Sequence, residues 1–231
     1  GVATATVVSC APTKNEYASY ELYPVRSGSL TEMEYTPEVT NFTLWAPTAD
    51  EVRLMLFDAG DGGHAYETVS MVSDKEGTWT AKVENDLIGK FYTFNVKIKD
   101  KWLGDTPGIN AKAVGVNGKR AAIIDMKATD PEGWAQDKRP ALASPADAVI
   151  YEMHHRDFSI DPSSGIQHKG KFLALTEEGT LSPEKLATGI DHLKELGVTH
   201  VHILPSYDYA SVDETKLDEN KYNWGYDPQN Y

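Results

Sequence analysis

Tyr92, Phe94, Val96 and Ile98 alternate with their neighbours in a period of two, the cleanest such run in the chain. That period sends every second side chain to one face of an extended backbone, so the run reads as a strand with one buried face. A half-buried strand needs partners of the same kind, and the surrounding sequence supplies them. Phe42, Leu44 and Ala46 alternate, as do Val52, Leu54 and Leu56, and then Trp79, Ala81 and Val83. Turn signals separate these runs at Pro47-Thr48-Ala49-Asp50, from Asp58 to Gly63, from Asp74 to Gly77 and at Ile88-Gly89-Lys90. Short strands at this spacing across residues 37–128 predict an all-β sandwich. Residues 1–36 show neither helical nor strand periodicity and read as a tail and approach segment.

The pattern changes after the sandwich. Residues 129–144 mix prolines and charges without a period and read as a linker. From Pro145 the chain turns to α/β character. Ala148-Val149-Ile150-Tyr151 is a nearly continuous apolar run, the mark of a strand buried on both faces of a parallel sheet. Ser182 and Pro183 suit the cap and first position of a helix carrying Leu186, Ile190, Leu193 and Leu196, with Gly197 as its stop. Val198 to Leu204 then reads as a second strand. Strand, helix, strand is the repeat of a (β/α)8 TIM barrel, but residues 145–231 are only about a third of the ~250 that such a barrel takes. The expectation is a multidomain chain: a sandwich followed by the first β/α units of an incomplete barrel, continued elsewhere.

A formal net charge of −13 and the lack of any basic run argue against nucleic acid, whose phosphates need neutralising charge. No apolar run approaches the length of a membrane span. The single cysteine excludes an internal disulfide. Its setting, Val7-Val8-Ser9-Cys10 before a loose polar stretch, is similar to the processing site of bacterial lipoproteins, which makes Cys10 a lipidation candidate and implies export with membrane anchoring. A chance cysteine in an unstructured start of a cytoplasmic protein fits the same letters. Gly62-Gly63 and Gly115 to Lys119 lack phosphate-loop spacing, and Asp58, Asp61 and Glu67 do not fit a calcium register, so neither cofactor nor metal is expected.

The densest chemical stretch runs from Lys221 to Tyr231, with four aromatics in eleven residues interleaved with Asn, Asp, Gly and Pro. Flat rings beside amides and carboxylates suit sugars, whose C–H faces stack while their hydroxyls hydrogen-bond. An aromatic turn that closes a core has the same composition.

Tyr222-Asn223-Trp224-Gly225-Tyr226-Asp227-Pro228 resembles a signature of type I pullulanases, debranching enzymes of the α-amylase clan. The resemblance extends through Ile150-Tyr151-Glu152-Met153-His154, Arg156-Asp157-Phe158-Ser159, Lys169-Gly170-Lys171 and Leu193 to His200, and it reaches back to Phe42-Thr43-Leu44-Trp45-Ala46-Pro47 in the sandwich. The sandwich itself is similar to the starch-binding-type module that precedes the barrel in pullulanases, isoamylases and branching enzymes. The resemblance implies hydrolysis of α-1,6-glucosidic links in pullulan and in branched starch or glycogen fragments, with an α-glucan as partner. It implies a retaining mechanism on two carboxylates with a third acidic group assisting, all on later strands, so no catalytic residue is assigned in this chain and the chain alone is expected to be inactive. Tyr226 is then the platform under the sugar ring at the cleavage site, with Tyr222, Asn223, Trp224 and Asp227 around it. Trp102, in a charged turn just past Ile98, resembles a sugar-binding Trp of related modules, many of which bind no sugar. An isoamylase or branching enzyme, or a non-catalytic glucan-binding protein, are the rival readings.

Two further clusters read as structural. His154-His155-Arg156-Asp157 invites a metal cluster or an acid-base pair, but His154 and His155 point to opposite faces of an extended segment, so one metal cannot take both, and the cluster suits hydrogen bonds that fasten the strand end. His155 stands where the resembled family has an apolar residue. His202, Asp208, Asp213 and Glu214 read as groups that order a loop.

Overall fold

The computed structural model describes residues 15–231. The chain forms two compact units that divide between Asp130 and Pro131. In the first, the strands in chain order are β1 (Met33–Tyr35), β2 (Thr40–Trp45), β3 (Glu51–Phe57), β4 (Glu67–Ser70), β5 (Val72–Ser73), β6 (Thr78–Val83), β7 (Phe91–Ile98), β8 (Lys101–Thr106) and β9 (Ala121–Ala122). They make two antiparallel sheets, β1-β2-β6-β5 and β4-β3-β7-β8, with β9 also on β7. The alternating residues face inward as their period requires: Phe42, Val52, Leu54, Leu56, Trp79, Val83, Tyr92 and Phe94 share one buried cluster. Tyr92 stands edge-on to Phe42 at 5.0 Å and to Phe94 at 5.5 Å, a favoured aromatic geometry. Each such fully buried apolar side chain contributes about 1.5–3 kcal/mol.

Two sequence expectations are corrected in this unit. The approach segment through residue 36 is built into the sandwich: Met33, Glu34 and Tyr35 pair with Phe42, Asn41 and Thr40, and the Trp45 indole N–H donates to the Pro24 carbonyl at 3.1 Å. A three-residue strand is too short to show a period. Glu32, in the same segment, is 3% exposed and accepts a hydrogen bond from the Tyr92 hydroxyl at 2.5 Å. Finally, Trp102 lies not in a turn but in β8, opposite Lys97. The turn is Lys99-Asp100, both at positive φ, the backbone of a tight hairpin that matches strand twist.

In the second unit β10 (Ile150–Met153) and β11 (His200–Ile203) run parallel, from Ile150 opposite His200 to Met153 opposite Ile203. Between them in sequence lies α1 (Gly189–Glu195), which packs against the turn at Phe172–Thr176. Leu193 on the helix, Ala174 in that turn and Ile166 are buried. The helix is shorter than expected. Ser182-Pro183 does not cap it; Ser182 N–H donates to the Leu186 carbonyl, Lys185 takes a positive φ, and Leu181 bridges to Ala187. Those bonds make a closed turn, and α1 starts only after Thr188. The strands also depart from expectation in burial. Ile150 is 66% exposed, and Val201 and Ile203 are exposed as well, because a sheet of two strands has no neighbours to cover both of its faces.

Candidate functional site

The aromatic motif lies beyond the C-terminal ends of β10 and β11, the end of a parallel sheet where ligands are bound. Backbone geometry fixes it there. Gly225 has a φ of +100°, and a Cβ at that position would meet the Pro205 carbonyl oxygen at 2.0 Å. Only glycine permits both the conformation and the approach. The following residues are tied to the loop after β11: Ala210 N–H donates to the Asp227 carbonyl at 2.8 Å, and Gln229 N–H donates to the Asp208 carbonyl at 2.6 Å.

Side chains complete the anchoring. The Asn223 Oδ1 accepts from Gly225 N–H at 2.6 Å, while its Nδ2 donates to Ser211 Oγ at 2.9 Å. Ser211 Oγ in turn donates to Asp227 Oδ2 at 2.6 Å, and Ser211 N–H donates to the same oxygen at 3.1 Å. The Ser211 hydroxyl, followed by the Asn223 amide, holds the Asp227 carboxyl below its ordinary range, as donors to a charged form should. The Tyr222 hydroxyl donates to Asp157 Oδ2 at 3.0 Å, and partial burial with that bond raises the phenol above its usual value.

His154 stands behind the motif. It is buried, its ring stacks on Tyr222 at 5.2 Å and 26°, and its Nε2 meets the Asn223 carbonyl at 2.7 Å. Its Nδ1 accepts from Arg156 N–H at 3.2 Å, so the proton must sit on Nε2. His155 turns elsewhere, edge-on to Phe172 at 4.6 Å. Its Nδ1 is buried with no partner among the described residues, and burial, then the neighbouring His154, pushes its pKa down.

What the motif leaves free are its rings. Trp224 is 65% exposed and Tyr226 is 68% exposed, while Tyr222 is partly covered and stands edge-on to Trp224 at 5.5 Å. Two concavities lie beside the motif, and Tyr226 lines neither. One of about 320 Å³ is lined by Met153, Asp157, Leu204, Tyr222 and Trp224. The other, about 650 Å³, is bounded by His154, Phe172, Tyr207, Asp208 and Asn223, within the usual range for a small-molecule site.

The structure thus gathers Tyr222, Asn223, Trp224, Tyr226 and Asp227 into one surface. Trp102 belongs to the other unit, where the Arg53 guanidinium lies 3.9 Å from its ring centroid and Lys97 Nζ lies at 5.7 Å. One face of that ring is therefore covered by a cation. Cys10 lies outside the described residues. His202 is paired with Glu152 across the strands at 3.0 Å, and Asp213 accepts from the N–H and hydroxyl of Thr215. Asp208 is raised by burial first and then by the charge of Glu214. Ser211 was not singled out from sequence, and Asp157 entered only as part of the cluster from His154 to Asp157. Asp157 sits in a stretch that carries the family resemblance, whereas nothing local to Ser211 announces its role.

Residues 31–134 match the carbohydrate-binding module 48 family, isoamylase N-terminal domain. The chain is 39% identical over 198 residues to the pullulanase of Bacillus subtilis (strain 168), covering 85% of this chain and 26% of that protein. Among solved structures, a pullulanase from Paenibacillus barengoltzii in complex with maltohexaose and α-cyclodextrin superposes with a TM-score of 0.86 at 54% identity, over 91% of this chain and 32% of that one. A pullulanase from Bacillus acidopullulyticus gives a TM-score of 0.84 at 42% identity, over 91% of this chain and 25% of that one. The chain spans about a quarter to a third of the length of these relatives. Residues 31–134 are a family 48 carbohydrate-binding module, and the chain as a whole is homologous to a part of the pullulanases.

Proposed function

We propose that the protein to which this chain belongs is a starch-debranching glycoside hydrolase that cleaves α-1,6-glucosidic links in pullulan and in branched starch or glycogen fragments. The observation that carries this reading is the rigidly held, outward-facing Tyr222–Asp227 surface at the strand ends, in a chain 54% identical to a solved pullulanase. In this reading β10, α1 and β11 open a (β/α)8 barrel whose further strands cover Ile150, Val201 and Ile203. The parallel register and the helix between the strands support it. Tyr226 is the floor of the cleavage subsite, and Trp224, Tyr222, Asn223 and Asp227 shape its walls. The nucleophile and the acid of a retaining mechanism come from other parts of the enzyme. The test is an assay of pullulan with the whole enzyme and with these 231 residues alone. Maltotriose release by the whole enzyme and none by the chain alone is expected. Hydrolysis by the chain alone sinks the division of labour, and an inert whole enzyme sinks the function.

Membrane anchoring through Cys10 is the second part of this proposal. Its support is the Val7-Val8-Ser9-Cys10 pattern, and two or three acyl chains at about 0.8 kcal/mol per buried CH₂ would hold such a protein firmly at a membrane. Mass spectrometry of the native protein should find Cys10 acylated at the mature start; residues still attached before it would end the idea.

A further inference from the structure

Tyr226 is largely exposed, so its own side chain does little to fix the direction of its ring. That direction is set by the backbone on either side, Gly225 and Asp227, and Ser211 is bonded to Asp227 directly and to Gly225 through Asn223. Ser211 Oγ–H donates to Asp227 Oδ2, Ser211 N–H donates to the same oxygen, and Ser211 Oγ accepts from Asn223 Nδ2. Asn223 passes the restraint to Gly225 through its Oδ1. A hydroxyl carries one proton and two lone pairs, so it serves the carboxylate and the amide together without conflict, and the bond to a charged acceptor is the stronger kind. The backbone bonds from Ala210 to Asp227 and from Gln229 to Asp208 do not involve the hydroxyl. Removing it should therefore leave the loop paired and loosen only the side-chain bridge.

We infer that Ser211 is a positioning residue for Tyr226, acting through Asp227 and Asn223 to aim the ring at the sugar. This rests on the reading of Tyr226 as an α-glucan platform. Ser211 does its work from a separate stretch, the loop after β11, so the pocket floor depends on a hydroxyl that the motif itself does not contain.

The experiment is a double-mutant cycle on pullulan hydrolysis in the enzyme that contains this chain. Ser211→Ala is expected to lower kcat/KM roughly ten- to a hundredfold, the size of one lost hydrogen bond to a charged group. Ser211→Thr, which keeps the hydroxyl, should return it to within about twofold of wild type on the same scale. In a Tyr226→Ala background Ser211→Ala should cost almost nothing further, because the group it positions is gone. Equal losses in both backgrounds, or failure of Ser211→Thr to restore activity, would overturn the inference. Asp227→Asn, which keeps the shape and removes the charge, is a second probe of the same bridge and should couple to Tyr226→Ala in the same way; additivity there also counts against it. A Tyr226→Ala enzyme at wild-type kcat/KM sinks the platform reading instead, and with it the role given to Ser211.

Discussion

The His154 ring lies flat against Tyr222 while its Nε2–H donates to the carbonyl of Asn223 at 2.7 Å. One buried side chain at the end of β10 thus holds both the first ring of the motif and the backbone next to it. Losing it leaves a partly buried carbonyl without a donor, which costs about 1–3 kcal/mol. His154→Ala should therefore speed hydrogen exchange at the Gly225 amide by roughly tenfold or more, since each 1.4 kcal/mol is about a factor of ten. Unchanged exchange at Gly225 would show that the motif is held without His154.

Glu32 gives the sandwich a pH dependence of definite sign. Its Oε2 accepts from the Tyr92 hydroxyl and its Oε1 from Asn110 N–H at 3.0 Å, and a Cβ on Gly108 would overlap the carboxylate. Burial raises its pKa above the ordinary 4.5, outweighing those donors and the nearby charge of Lys112. The folded state then holds the proton more tightly than the unfolded chain, so this group's contribution to stability is full below the ordinary value and falls as pH rises through the raised one. Glu32→Gln keeps the acceptor for Asn110, and its amide can donate to Tyr92, whose hydroxyl turns to accept. Urea midpoints should show the wild type losing stability on this rise relative to Glu32→Gln, and Glu32→Ala losing about 1–3 kcal/mol at every pH. A wild type and a Glu32→Gln variant with parallel pH profiles would refute the assignment.

Long alternating runs made the sandwich legible because the core decides which face each residue takes, as at Tyr92 and Phe94. β1, β5 and β9 are two or three residues each, and no period can be counted in so few. Ser182-Pro183 obeys the local rules for a helix start, yet the bonds of Thr180 with Thr188 and of Ser182 with Leu186 favour a closed turn. Thr188 also donates its hydroxyl to the Ser164 carbonyl, a long-range bond that leaves no local mark. The site divides in the same way. The rings of Tyr222, Trp224 and Tyr226 are visible as a cluster in sequence, whereas their anchors, His154, Asp157 and Ser211, come from other stretches of the chain. Glu32 is invisible in the same sense, since its partner Tyr92 is sixty residues away.

Trp102 tests whether the sandwich binds sugar. Arg53 covers one face of its ring, an attraction of about 0.5–1 kcal/mol at an exposed site and more when desolvated. A sugar that needs that face must first displace the guanidinium. Trp102→Ala should abolish maltoheptaose binding by the sandwich unit, and Arg53→Ala should tighten it by roughly two- to fivefold. Calorimetry in which neither change alters the affinity would remove Trp102 from the binding surface.

Tyr226 carries the strongest expectation. Its ring is exposed and held by neighbours that do not cover it, so stacking under a sugar buries area that is otherwise wet. That burial and stacking amount to about 1–3 kcal/mol. A sugar flattens as it approaches an oxocarbenium-like state, and a platform already in place meets the flattened ring better than the relaxed one. Part of the energy then appears only in the transition state, which raises kcat as well as lowering KM. In the whole enzyme Tyr226→Ala should depress kcat/KM on pullulan by roughly tenfold to a hundredfold, with kcat itself reduced. Tyr226→Phe keeps the face and loses only a hydroxyl, so its loss should stay within about 1 kcal/mol. A rise in KM alone for Tyr226→Ala would mean that the ring binds ground state and transition state equally, and the platform would then serve affinity and not the chemical step.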